Sequence, residues 1–226
     1  MRVIEDIRLV LAPPHRAGLP FIGGGGVVMV AGLLFGWWLF WVGLIFALFC
    51  AYFYRDPVRV PPLRPSAIVA PADGRVVLVG LVAPPAELGL GDVPRWRVAI
   101  FLSVLDVHIN RMPVSGTVMR IAYHHGKFVS AATDKASESN ERNAMAVRLE
   151  DGRDIAVVQI AGLIARRILC YVREGDRVRA GSQFGLIRFG SRTDLYLPVG
   201  VKPLVTEGQS MIGGETVIAD LIGASV

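Results

Sequence analysis

The stretch Val172-Arg173-Glu174-Gly175-Asp176-Arg177-Val178-Arg179-Ala180-Gly181-Ser182-Gln183-Phe184-Gly185-Leu186-Ile187 decides the architecture. Glu174-Gly175-Asp176 reads as a turn, Val178 as an inward apolar position, Ala180-Gly181 as a second turn, and the residues after it as an apolar strand. Upstream, Ala67–Ala70, Arg75–Val79, Arg97–Leu102, Gly116–Ile121, Ala144–Leu149 and Ile155–Ile160 are short apolar runs bounded by Gly, Pro or Asp, and they read as strands. No helix-period segment long enough to pack against them is found in this part of the chain. The expectation is a mainly β domain of barrel or sandwich type with few short helices.

The two-turn rhythm of Val172–Ile187 resembles the hammerhead turn of lipoyl and biotinyl carrier domains. A carrier presents an attachment lysine at a hairpin tip, and no Met-Lys pair or comparable lysine lies near, so the resemblance speaks for fold and not for carrier activity.

The N-terminal part is of another kind. From Ala17 to Tyr54, about 38 residues, there is no charged side chain, against about 20 needed for one helical span. The Gly23–Gly26 cluster is expected to break the first part. Gly36 with Trp37, Trp38 and Trp41 forms an interfacial bend, which predicts a membrane helical hairpin. A secretory signal would have a shorter apolar core and a small-residue cleavage site. Arg2, Arg8 and Arg16 precede the run and Arg55, Arg59 and Arg64 follow it, so both flanks prefer the cytoplasm, which fits a hairpin or a re-entrant anchor at the cell membrane with the rest of the chain in the cytoplasm. The alternative, a single span, would put one basic flank on the wrong side. His15, just ahead of the run, is expected at the interface. The resulting division is an anchor over residues 1–54, a stiff proline-rich linker over 55–65 and a β domain over 66–226.

A net charge of +5, a pI near 9.6 and a mean hydropathy of +0.49 suit an anionic membrane surface. No basic block is interleaved with aromatics, which argues against nucleic acid. Cys50 and Cys170 make neither a disulfide framework nor a zinc pattern. His124-His125 would point to opposite faces of a strand and is expected in an exposed turn, so no metal site is expected.

The chemistry centres on Gly190-Ser191 within Phe189-Gly190-Ser191. A Gly-Ser bond in a strained turn can be attacked by its own hydroxyl, glycine leaving the carbonyl open. Serine needs a base to take its proton, and His108 is the natural acceptor because an imidazole ordinarily titrates near neutral pH. Asp73 sits in the turn Pro71-Ala72-Asp73-Gly74 and can orient or charge that base. With Asp106-Val107-His108-Ile109-Asn110-Arg111-Met112-Pro113-Val114-Ser115-Gly116 and Asp134-Lys135-Ala136-Ser137-Glu138-Ser139-Asn140-Glu141-Arg142-Asn143, these clusters stand in an order that resembles the phosphatidylserine decarboxylases, particularly their short bacterial and archaeal form. The resemblance covers most of residues 55–200, including Gln159–Arg167.

The resemblance implies a pyruvoyl-dependent enzyme made by self-cleavage between Gly190 and Ser191, with a large subunit (1–190) and a small one (191–226) forming a heterodimer, which could itself pair as a homodimer. Ser191 becomes the covalent pyruvoyl cofactor. It forms a Schiff base with the headgroup amine of phosphatidylserine in an anionic membrane, and carbon dioxide and phosphatidylethanolamine are released. His108 and Asp73 are the implied catalytic partners of Ser191. Longer members carry a second histidine where Arg111 stands, and an arginine cannot act as a base. Whether His108 covers both self-processing and turnover, or Asp73 acts more directly, stays open. Arg111 is a candidate for gripping the substrate carboxylate or phosphate, the alternative being an ion pair. Asn140, Glu141 and Arg142 are candidates for substrate contacts, the alternative being a solvated face. Two further readings stand beside the enzyme: a membrane-anchored, non-enzymatic adaptor with a lipoyl-like β domain, and a pyruvoyl enzyme for a soluble amino acid. The first leaves the order of Asp73, His108 and Gly190-Ser191 unaccounted for, and the anchor argues against the second.

Overall fold

The computed structural model describes residues 12–126, 140–162, 167–188 and 190–222. The chain forms two compact units, Met1–Val58 and Arg59–Val226.

In the first unit, helices α1 (Leu19–Phe35) and α2 (Trp37–Phe53) form an antiparallel hairpin. At about 1.5 Å per residue each is about 26 Å long, close to the hydrocarbon thickness of a bilayer. With the short turn of helix before it, Arg16–Phe35 is long and apolar enough to cross a membrane. The break comes at Gly36 alone, where φ is 137°. The expectation that Gly23–Gly26 would interrupt the first helix is corrected: α1 runs through them. Gly25 explains part of that cluster, because a Cβ there would stand 3.0 Å from both Ala47 N and Gly43 O, and one on Gly43 2.5 Å from Met29 N. These small residues let two apolar helices approach closely where lipid offers no hydrophobic drive to pair. The hairpin brings its flanks together, since His15 N donates to Tyr54 O at 2.7 Å and Asp56 N to Pro13 O at 2.9 Å. Both flanks of this hairpin therefore lie at the same end.

The second unit is mainly β, as expected. Its strands are β1 (Ala67–Val69), β2 (Gly74–Val82), β3 (Arg95–Leu102), β4 (Ile109–Arg111), β5 (Gly116–His124), β6 (Arg142–Arg148), β7 (Asp154–Ala161), β8 (Ile168–Cys170), β9 (Arg177–Val178), β10 (Gln183–Ile187), β11 (Ser191–Tyr196), β12 (Ser210–Met211) and β13 (Val217–Asp220). An eight-stranded antiparallel sheet has the order β12-β2-β3-β11-β7-β6-β5-β9, with β4-β10-β8 and β1-β13 as smaller sheets. The large sheet curls, because Val76, Met211, Val118 and Val178 from its two ends share one apolar core with Ile100, Val157 and Leu195 from its middle. The hammerhead turns are present: Gly175 N donates to Val118 O and Gly181 N to Met112 O, both at 2.8 Å, and Val178 is buried between them. Residues at the start of this unit are tied to it, Val60 N donating to Glu215 Oε1 at 2.9 Å and Arg64 pairing with Asp220.

Candidate active site

β11 lies in the middle of the large sheet, with Ser191 opposite Leu102 of β3 and Ala161 of β7. Side chains alternate along a strand, and residues directly opposed across a ladder share a face. Ser191, Thr193 and Leu195 therefore face the main core, and Arg192, Asp194 and Tyr196 face the other way. Gly190, one residue upstream, has φ of 62°, while a Cβ placed there would meet nothing within 4 Å. The backbone angle, and not a lack of room, calls for glycine. Ser191 is fully buried, and its Oγ makes no hydrogen bond with any described residue. Such an orphaned hydroxyl costs about 1–3 kcal/mol and calls for an explanation that packing does not supply.

His108 arrives from the same end of the sheet. β3 ends at Leu102, and a tight turn follows in which Asp106 Oδ2 accepts from Ser103 N and Ser103 Oγ, each at 2.7 Å. The Asp106 carbonyl lies 2.9 Å from His108 Nδ1. A carbonyl can only accept, so Nδ1 is the donor, and in a neutral imidazole that leaves the lone pair on Nε2. His108 is fully buried, and its own carbonyl accepts from Ile187 N at 3.2 Å, in the segment leading into Ser191.

Asp73 is fixed from two sides: Oδ1 accepts from Gly213 N at 2.7 Å and Oδ2 from Arg59 Nη2 at 2.5 Å. Its turn is joined to β4 because Pro71 O accepts from Arg111 N at 2.9 Å. Arg111 is buried and donates through Nη1 to Gly181 O at 3.1 Å. Asn140 is also buried, its Nδ2 donating to Ala161 O at 2.8 Å, and Glu141 O accepts from Ala161 N at 2.9 Å. Both thus hold the ladder partner of Ser191. Glu141 bonds through its carboxylate to the Tyr123 hydroxyl, and burial together with that carboxylate pushes the Tyr123 phenol up to about 12. Arg142 stands apart: it is opposite Ile160, which is opposite Arg192, so it lies on the face away from Ser191. There it donates to Glu87 Oε1 at 3.0 Å, beside His124 Nε2 at 3.2 Å from the same oxygen. His124 and His125 are exposed, and His15 caps the turn ahead of α1. Among the described residues no cluster could hold a metal ion. Asp134–Ser139, Leu163–Arg166 and Phe189, named above in the sequence motifs, lie outside the described residues.

Two features escaped the sequence reading. On the face away from Ser191, Arg192 and Asp194 form a buried bidentate ion pair, 2.6 Å from Nε to Oδ1 and 2.7 Å from Nη2 to Oδ2, with Arg97 3.8 Å away. This pins the first residues of β11. Asp194→Asn removes the carboxylate from a buried arginine and is expected to cost about 3–5 kcal/mol, read as a lower urea midpoint of the purified protein; an unchanged midpoint would contradict the assignment. On the Ser191 face, Asn110, Gln159, Asn143 and Thr193 form a buried polar chain. Its signal in the sequence is a glutamine inside the apolar run Ile155–Ile160.

Fold and site define a protein with an apolar helical hairpin followed in the chain by a curled β unit, which carries a buried serine at the head of a central strand and a buried histidine at the same end. Comparison with known proteins makes this particular. The phosphatidylserine decarboxylase family profile matches residues 46–219, and the chain belongs to that family. It is 66% identical over 221 residues to the phosphatidylserine decarboxylase proenzyme of Granulibacter bethesdensis, covering 98% of this chain and 91% of the relative. It is 61% identical over 225 residues to the proenzyme of that name from Gluconobacter oxydans, covering 98% of this chain and all of the relative. To that of Cereibacter sphaeroides it is 55% identical over 221 residues, covering 96% and 94%.

Proposed function

We propose that this chain is the zymogen of a pyruvoyl-dependent phosphatidylserine decarboxylase that cuts itself between Gly190 and Ser191. The observation that carries the reading is the buried Ser191 hydroxyl, without a hydrogen bond to any described residue, directly after a glycine in the left-handed region. In the maturation, Ser191 Oγ adds to the Gly190 carbonyl carbon as its proton passes to a base, and the C–N bond breaks to leave an ester and a free amine. Loss of the Ser191 Cα proton then expels the Gly190 carboxylate from Cβ, and water converts the resulting dehydroalanine to a pyruvoyl group with release of ammonia. His108, with its lone pair on Nε2, is the base. Asp73, held by Arg59 and Gly213, is its acidic partner.

The site fits this group: a serine whose hydroxyl bonds to no described residue loses no hydrogen bond when that hydroxyl is consumed. Once formed, the pyruvoyl group supplies an electron sink for breaking the bond to the substrate carboxylate. The protein's part is to bind and orient the headgroup. Arg111 and Asn140 are the candidates among the described residues, with Glu141 beside them, whereas Arg142 faces away and is the weakest of the four.

The products of cleavage are a large subunit (1–190) and a small one (191–226) that stay together as a heterodimer, because β11 remains laddered to β3 and β7; pairing of two such heterodimers is the further assembly inferred. Residues 1–54 anchor the enzyme at the cell membrane and residues 66–226 form the catalytic part, joined through 55–65. With both flanks of the hairpin at one end and basic, the catalytic part faces the cytoplasm. Substrate held in a bilayer then meets the site without extraction of its acyl chains. Purified protein is expected to release carboxyl label from phosphatidylserine in vesicles and none from free serine. Release from free serine alone would turn the reading to a soluble amino acid, and release from neither would overturn the activity.

A further inference from the structure

His108 and Ser191 belong to different sheets. His108 leads into β4 of the three-stranded sheet, while Ser191 opens β11 of the eight-stranded one, and the backbone ladders leave the two sheets separate. Side chains bridge them. Gln159 Nε2 on β7 donates to Asn110 Oδ1 on β4 at 2.8 Å, and Asn110 Nδ2 donates to Thr193 Oγ1 on β11 at 3.3 Å. Gln159 is in turn held by Asn143 Nδ2 on β6, which donates to its Oε1 at 2.9 Å. None of the four is more than 2% exposed. Asn110 is two residues after His108, and Thr193 two after Ser191 on the same face, so the bridge ends beside each reacting residue.

Resting on the reading of Ser191 as the self-cleavage site, we propose that the Gln159–Asn110 amide bridge is a positioning device that sets the His108 imidazole against the Ser191 hydroxyl for cleavage. An apolar core would hold the two sheets at a distance but not in register, since apolar contacts are non-directional. A chain of buried side-chain hydrogen bonds is directional and favours one register. Proton transfer and attack need that precision, because a displacement of about 1 Å in reacting groups can cost about 10²-fold in rate. The bridge acts through His108, and so its loss and the loss of His108 remove the same thing.

The test is a double-variant cycle on the full chain in detergent, following cleavage by gel and intact mass in wild type, Gln159→Met, His108→Ala and the two combined. Methionine keeps the length of the side chain and removes its amide. Cleavage in Gln159→Met is expected to slow at least about tenfold, with an unfolding midpoint within a few degrees of wild type. The combined variant is expected to cleave no slower than His108→Ala alone, because effects carried by one shared interaction do not add. Thr193→Val, which removes only the last acceptor, is expected to slow cleavage about two- to tenfold, and it carries the same cycle should Gln159→Met fail to fold. A wild-type rate in Gln159→Met, or full multiplication of the two losses, would overturn the proposal. A wild-type chain that never cuts would sink the reading of Ser191 and this inference with it, an outcome told apart by the wild-type lane alone.

Discussion

Ser191→Ala stays at full length and loses phosphatidylserine decarboxylation by at least about 10⁴-fold, the scale of removing a residue on which the whole reaction depends. The same substitution leaves the fold intact. Ser191 Oγ makes no hydrogen bond among the described residues, and deleting an unsatisfied buried hydroxyl relieves about 1 kcal/mol or more of desolvation cost. Alanine also keeps the strand register between Leu102 and Ala161. The expected combination is therefore an unfolding temperature no lower than that of the uncut wild type, together with no cleavage and no activity. A variant that lost activity by unfolding would show a lowered midpoint, and one that kept wild-type activity would remove the pyruvoyl mechanism.

His108→Ala is the second large effect. A positioned general base contributes about 10²–10⁴-fold, and cleavage is expected to slow by that amount, measured as the half-time for appearance of the small subunit. His108→Gln separates chemistry from packing, because glutamine fills most of the space and can bond to Asp106 O but cannot accept a proton at neutral pH. Both variants are expected to be slow. Fast cleavage in His108→Gln with slow cleavage in His108→Ala would assign His108 a packing role, and normal rates in both would take it out of the site.

The β part of the fold was legible because its strands are short apolar runs between Gly, Pro and Asp, the pattern of Ile155–Ile160 and Arg97–Leu102. β11 was not. Ser191-Arg192-Thr193-Asp194 looks like a polar loop, and only the three-dimensional structure shows that Arg192 and Asp194 neutralise each other within a buried sheet face. A bidentate pair between residues two apart on one strand leaves no apolar periodicity to read. The glycines of α1 misled in the opposite direction. Helix propensity marks Gly23–Gly26 as a break, yet a tightly packed helix partner is met by Gly25, and the chain reverses later, at Gly36.

Sequence nominates candidates where chemistry demands particular residue types, as at Ser191, His108 and Asp73; in the structure the first two are buried and the third is bonded to Gly213. The candidate site was not legible where the demand is for alignment. Gln159 and Asn143 occupy inward positions of central strands, where sequence alone offers apolar packing as the default, and their partner Asn110 comes from a distant part of the chain. Arg142 illustrates the converse, a residue beside a motif but turned by strand parity to the far face, where Glu87 receives it.

The most direct measurement is the intact mass of freshly purified, lipid-active protein. The account predicts two polypeptides divided after Gly190, the smaller one beginning at residue 191 with a ketone in place of its amino terminus and therefore closed to Edman sequencing. A single unbroken chain with an ordinary amide at Ser191, in a preparation that decarboxylates phosphatidylserine, would contradict it.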